Sequence, residues 1–332
     1  QTIISSLYLL RLTLYGLFFL TVYNLVKNEG EKALVLNSLK VAGCAIGILG
    51  IIQYFLFPDL RALLLLGWDE HVGRIVGTFL DPNFTSIILV LTLLLIFGSS
   101  HQMTGALHQM TGALHQMTGA LHLGGVRWLQ RVSPTRWILV SVIFFTLLLT
   151  YSRSGYIAFI IGMTTLSLLQ RNIKILVLSL VVILLGITFL PKQTSEGTKL
   201  ARITSINLRI ENWQESFELF RAHPVFGVGF NTLRYTREPI MGKYGPSHAA
   251  SGVDNSFLFV LVTTGVVGFM AFLGMLKEVL TVVWRSQESK FVVVPSVAAI
   301  FTSSMFINSL FYPWILGWLA LLLAATLRPG KN

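Results

Sequence analysis

The chain has 332 residues, of which 54% are hydrophobic and only 12% charged, and its mean hydropathy is +0.71. Soluble domains carry roughly a quarter charged residues, so this composition excludes an ordinary water-soluble enzyme and points to lipid as the main solvent. The net charge of +11 comes from basic residues scattered singly among loops and helix ends, with no basic stripe, and this argues against a nucleic-acid partner.

A hydrocarbon core about 30 Å thick calls for roughly 20 apolar residues per helical span. The apolar runs place spans near residues 6 to 26, 34 to 57, 84 to 98, 136 to 151, 155 to 170, 173 to 190, 255 to 276, 291 to 308 and 312 to 327. The expected fold is therefore all-α: a polytopic transmembrane helical bundle of about nine spans, with a long outer loop. Four segments follow in chain order. Residues 1–83 hold the leading spans and first outer loop, and 84–190 the central spans. Residues 191–254 form the outer loop, and 255–332 the C-terminal spans. The chain starts at Gln1 and enters a span almost at once, as a fragment or a processed product would. Its one cysteine, Cys44, lies inside a span, so neither a disulfide framework nor a cysteine metal site is expected.

Topology follows from the short connections. Lys27 and Lys32, Arg127, Arg131 and Arg136, Arg171 and Lys174, Lys277, Arg285 and Lys290, and finally Arg328 and Lys331 fall on alternate connections, which the positive-inside rule makes cytoplasmic. The 58–83 connection, net acidic, and the long 191–254 segment then lie outside. Within the central segment, residues 99–135 include three tandem copies of HQMTGAL. Histidines seven residues apart on a helix stand about 10.5 Å apart, too far to share an ion. We read this stretch as an expanded cytoplasmic linker.

The residues suited to chemistry gather on the outer side. Arg153, in Tyr151-Ser152-Arg153-Ser154-Gly155, sits at a junction between two spans, where a charge marks a functional site or snorkels to the interface. In the outer loop, Trp213, Phe217 and Phe220 share one helical face while Glu211, Glu215 and Glu218 line another, predicting an amphipathic helix along the bilayer surface. Arg209 falls one turn before Trp213 on the inward face, where a guanidinium meets phosphate oxygens bidentately or pairs with a neighbouring glutamate. Arg221 is a second candidate on the same helix. Pro224, Gly227 and Gly229 end it. Asp254, at the entry to the next span, either caps that helix or accepts a proton, and His248 is a competing base or a loop residue. Upstream, Arg74 and the turn Asp81-Pro82-Asn83 form a polar approach to another span.

In order, Gly77-Thr-Phe-x-Asp-Pro-Asn83, Ser152-Arg153-Ser-Gly155, Arg209-x-x-x-Trp213, His223-Pro-x-x-Gly-x-Gly229 and Asp254-Asn255-x-Phe-Leu258 with Gly265 resemble the motif series of the O-antigen ligase and O-antigen polymerase family, over residues 70–320. The resemblance implies a membrane glycosyltransferase that moves a glycan from undecaprenyl diphosphate to an acceptor at the outer face of the cytoplasmic (inner) membrane. It gives Arg153 and Arg209 the donor diphosphate, with Arg221 as a further ligand. Asp254 or His248 then stands near the acceptor, and Arg74, Asn83, Ser152, Trp213 and Asn255 support the site. The implied partners are an undecaprenyl diphosphate-linked oligo- or polysaccharide, a glycan, lipid A-core or other acceptor, and the bilayer. No dense carboxylate cluster is evident, so metal-independent transfer without a cofactor is expected. Ligases place His-Asn where this chain has Asp254-Asn255, and glutamate where it has Thr263, so ligase and polymerase are not separated by these motifs. The alternative from another class is a secondary transporter or lipid-linked glycan flippase, since intramembrane charge also marks transport paths.

The charge alternation is checked by labelling. A cysteine introduced at Ser195 is expected to react with a membrane-impermeant reagent in intact cells and one at Ser133 to be silent. The reverse pattern inverts the assigned faces.

Overall fold

A computed structural model of the chain describes residues 2–66, 71–99, 134–191, 196–200, 203–230, 232–233, 235–237, 252–286 and 289–327. The HQMTGAL linker and His248 lie outside these residues. All regular elements among the described residues are helical: α1 (Thr2–Leu25), α2 (Glu29–Leu56), α3 (Pro82–Ser99), α4 (Pro134–Leu149), α5 (Arg153–Gln170), α6 (Ile173–Thr188), α7 (Thr204–Ala222), α8 (Ser256–Arg285), α9 (Lys290–Ser304) and α10 (Pro313–Thr326), with short 3-10 turns between some of them. Each apolar run expected to span has a helix in its place. By length and composition, α2, α3 and α8 are long and apolar enough to cross a membrane.

Local chemistry sets the boundaries. Asn28 caps α2 by accepting from the Glu31 N–H, and Ser152 caps α5 by accepting from Gly155. Asp81 accepts from the Asn83 and Phe84 N–H groups, at 2.6 and 3.1 Å, and Pro82 follows at the first helical position of α3, as the turn-and-initiation reading expects.

Helix α3 is the centre of the bundle: every residue from Ile87 to Ile96 is buried. Small residues let its neighbours come close. A methyl group on Gly43 or Gly47 of α2 would strike Thr92 or touch Leu89, one on Gly155 of α5 would strike Ser86, and one on Gly162 would lie 2.7 Å from Leu94. Helix α9 packs along α5, with Ala299 beside Gly162, while α10 lies against α1 and α2. The buried stripe of α2 is Leu36, Leu39, Gly43, Gly47 and Gly50, yet its outward face is also apolar, with Val41, Ile52 and Phe55 exposed. A helix apolar on all sides is stable where its outer face meets lipid.

The largest departure from the sequence reading is in α8. A single span was expected over 255–276, but the helix runs from Ser256 to Arg285 and is broken at Gly265, whose φ of 65° and ψ of −169° are not helical. In a straight helix Phe257 and Phe272 would stand about 22 Å apart along the axis. Their ring centroids are 6.4 Å apart. Arms of about 12 and 10 Å on either side of the break bring the rings that close only by meeting at roughly a right angle or less. Phe311 seals the inside of the bend, lying 5.3 Å from Phe259 and 6.5 Å from Phe272.

Breaking a helix orphans backbone donors and acceptors, and in an apolar setting they need new partners. The His223–Gly229 segment supplies them. The Val228 and Gly229 N–H groups donate to the carbonyls of Val262 and Thr263, both at 2.9 Å. In return, Val266 and Val267 donate to the carbonyls of Pro224 and Val225, at 2.9 and 3.3 Å. Two backbones this close leave no room for side chains: a Cβ on Gly227 would lie 2.5 Å from the Val262 oxygen, and one on Gly265 would overlap the Val225 carbonyl. Both glycines also have positive φ, 68° and 65°.

Gly227→Ala and Gly265→Ala are each expected to cost about 2–5 kcal/mol, the left-handed backbone penalty plus backbone overlap. Gly274→Ala, in the second arm of α8 with nothing within 4 Å, is expected to be neutral or slightly stabilising. Thermal unfolding in detergent checks all three. Equal melting midpoints for the three variants contradict the splice.

Candidate functional site

The N-terminal ends of α3 and α5 and the C-terminal end of α4 are tied into one platform. The turn from α4 to α5 is only Thr150, Tyr151 and Ser152, with Tyr151 at φ 50°. Buried Arg74 reaches into it, donating from Nε and Nη2 to the Thr150 carbonyl at 3.0 and 2.8 Å. Asn83 meets it from α3: its Oδ1 accepts from the Ser152 and Ser154 hydroxyls at 3.0 and 3.4 Å. Arg74, Asn83 and Ser152 thus form the mount from which Arg153 projects.

Arg153 is the first helical residue of α5 and half-buried, and its Nη1 donates to the Leu200 carbonyl at 3.3 Å. Burial, and after it the charge of Arg209, hold its guanidinium below the usual arginine range. Two guanidiniums held within electrostatic reach are a site where an anion lowers the energy of both. Arg209 comes from α7, an element more than fifty residues downstream, so the fold joins two arginines that the sequence places in separate motifs.

One turn beyond Arg209, α7 grips the segment leading into α8. The Trp213 indole donates to the Asp254 carbonyl at 3.0 Å. Asn212 spans the same strand of backbone, donating to the Gly252 carbonyl at 3.3 Å and accepting from the Asp254 N–H at 3.0 Å. Buried Arg237 adds a bond from Nη1 to Gly252 at 2.9 Å and one from Nη2 to the Ser216 hydroxyl at 2.8 Å. Below the clamp, Leu219, Leu233, Val253, Phe259 and Val262 form a small apolar core separate from that of the bundle. Asn212 and Arg237 were not singled out from the sequence. One arginine among eight basic residues of a long loop carries no spacing signal.

Two readings are revised. Asp254 does not cap α8. Asn255 does, its Oδ1 accepting from the Phe257 and Leu258 N–H groups at 2.9 and 3.0 Å, while its amide donates to the Met305 carbonyl at 3.3 Å. Both residue types are good caps, and the clamp on the Asp254 backbone decides between them by fixing the register. The face of α7 is also different from that expected: Trp213 and Phe220 turn into the protein, whereas Phe217 is 43% exposed. Arg221 is exposed, with Cζ 4.7 Å from the centre of the Phe217 ring.

The arrangement offers two arginines on neighbouring elements and, held by Trp213 one helical turn beyond Arg209, the carboxylate-bearing Asp254 at the entry to α8. Among the described residues no three His, Cys, Asp or Glu side chains group closely enough to hold a metal ion. A search of curated proteins finds no match for the chain. Residues 138–273 do match the family model described as O-antigen ligase. That stretch, which is similar to the O-antigen ligase family, carries Arg153, Arg209, Trp213, Asp254 and the glycine splice at Gly265.

Proposed function

We propose that this membrane protein transfers a glycan from a polyprenyl diphosphate, of the undecaprenyl type, to an acceptor hydroxyl at the outer face of the cytoplasmic membrane. Nine spans carry the site in this reading. The family match supports a glycan-transferring activity, and the observation that carries the donor class is that Arg153, at the start of α5, reaches the Leu200 carbonyl just ahead of α7, the helix that bears Arg209. Departure of a diphosphate concentrates negative charge on the leaving oxygen, and pre-placed guanidiniums stabilise that charge without reorganisation. They take the part that a divalent ion plays elsewhere, so transfer runs without one.

In the step itself the bond between the anomeric carbon and the diphosphate oxygen breaks, its electron pair passing to that oxygen. The acceptor hydroxyl oxygen forms the new bond to the anomeric carbon, and its proton passes to the Asp254 carboxylate. Attack from the side opposite the leaving group gives inversion, the outcome the family resemblance implies. With Asn255 doing the capping, the Asp254 carboxylate has no part in starting the helix. Whether the acceptor is the end of another lipid-linked chain, as in a polymerase, or a lipid A-core, as in a ligase, the same residues serve.

The broken helix α8 is the one feature a secondary transporter would share. In transporters the unwound backbone coordinates the cargo. Here the carbonyls of Val262 and Thr263 and the N–H groups of Val266 and Val267 are already bonded to the 224–229 segment, which favours the enzyme.

Arg153→Lys and Arg209→Lys are each expected to keep expression and melting midpoint while losing most glycan transfer from a purified lipid-linked donor, because an ammonium does not reproduce the bidentate fork. Full activity in both removes the diphosphate role.

Asp254→Asn is expected to leave stability unchanged and to lower turnover by about 100-fold or more, the usual worth of a positioned proton acceptor. His248→Gln, assayed alongside, is expected to transfer normally. A dead His248 variant beside an active Asp254 variant reassigns the base to His248.

A further inference from the structure

Helix α7 has three faces rather than two. Asn212, Trp213, Ser216, Leu219 and Phe220 turn toward the first arm of α8. Asn207, Glu211, Gln214 and Glu218, at helical spacing, form an exposed polar face. Between them runs a third stripe, Ile203, Ile206, Ile210 and Phe217, which is apolar and 67, 43, 44 and 43% exposed. The stripe is prolonged beyond the helix by Val225 and Phe226, 53 and 74% exposed.

The bend in α8 says which solvent this stripe meets. The second arm opens on an apolar run, Val266 to Leu276, which ends at the exposed Lys277 and Glu278. Its outward residues Val266, Val267, Met270 and Leu273 are exposed and apolar, whereas the first arm buries Phe259, Val260, Val262 and Thr263 in protein. Burial therefore changes character at Gly265, where a membrane-crossing arm meets an arm folded across it. Helix α7 and the segment that follows it accompany the first arm: Trp213 donates to the Asp254 carbonyl at one end, and the Val225 carbonyl accepts from Val267 just past the bend. The bend turns the first arm, and α7 with it, away from the line of the second arm. Val225 and Phe226 adjoin Val266 and Val267, so the stripe of α7 is continuous with the lipid-facing surface of the crossing arm.

The geometry points to an interfacial seat: α7 rests on the outer leaflet through Ile203, Ile206, Ile210 and Phe217, with Val225 and Phe226 inserted at the acyl boundary. The occupant is the bilayer itself, and the apolar residues of such a seat sit about 5–10 Å into the headgroup and acyl boundary. Arg209, adjacent to Ile210 on the protein side of the stripe, is thereby held at the level of lipid phosphates. This deepens the proposed reading, resting on its outer-face topology, and explains how a diphosphate still attached to its lipid reaches the arginine pair.

The test reads position and not activity. Single cysteines at Ile206, Ile210, Phe217 and Phe226, and at Glu211 and Glu218 for comparison, are introduced on a Cys44→Ser background and labelled with an environment-sensitive fluorophore. The full chain is reconstituted into phosphatidylcholine–phosphatidylglycerol vesicles without donor. Only proteins with the melting midpoint of the unlabelled parent are compared, and two positions per face suffice. Stripe labels are expected to be quenched by lipids bearing a nitroxide high on the acyl chain and to be shielded several-fold from aqueous iodide. Labels at Glu211 and Glu218 are expected to show the reverse. Iodide quenching equal on the two faces overturns the seat, as does shielding without nitroxide quenching, the pattern a second protein copy would give. Because no donor is present, failure here leaves the outcome of the Arg153→Lys and Arg209→Lys assays untouched, and failure of those assays leaves the seat standing.

Discussion

An apolar environment offers a broken helix no water to satisfy its backbone, and the fold from α7 into α8 is built around meeting that demand at Gly265. Four hydrogen bonds between residues 224–229 and 262–267 replace those the helix forgoes. They require Gly227 and Gly265, because any side chain there would stand between the two backbones. The spliced bend then sets the direction of the first arm of α8, the first arm carries α7, and α7 carries Arg209 and the clamp on Asp254. Motifs far apart in the chain thus depend on a contact made only of main chain.

The platform on the other side of the site follows a different logic. Arg74 donates to the Thr150 carbonyl, the Ser152 hydroxyl donates to Asn83, and Gly155 lets α5 press against Ser86. Arg153 stands on this mount, while Arg209 is carried by α7, which packs on a small core of its own.

Much of this was legible in the sequence. Each apolar run became a helix, Asp81-Pro82 started α3, and α7 formed where the polar and apolar residues alternated at helical spacing. The bend was not legible: a lone glycine in an apolar run costs a helix only about 1 kcal/mol, and what turns Gly265 into a break is a partner segment nearly forty residues upstream. The cap was misplaced between Asp254 and Asn255 because both side chains accept equally well, and only Asn212 and Trp213 fix the register. The apolar face of α7 was misjudged for a related reason. Periodicity tells which residues leave water, but not whether protein or lipid receives them.

The Gly252 carbonyl takes two side-chain donors, Arg237 from fifteen residues upstream and Asn212 from α7. A carbonyl oxygen has two lone pairs, so neither donor displaces the other. The approach to Asp254 is therefore held redundantly: loss of one tie leaves the other in place, and the entry to α8 keeps its register.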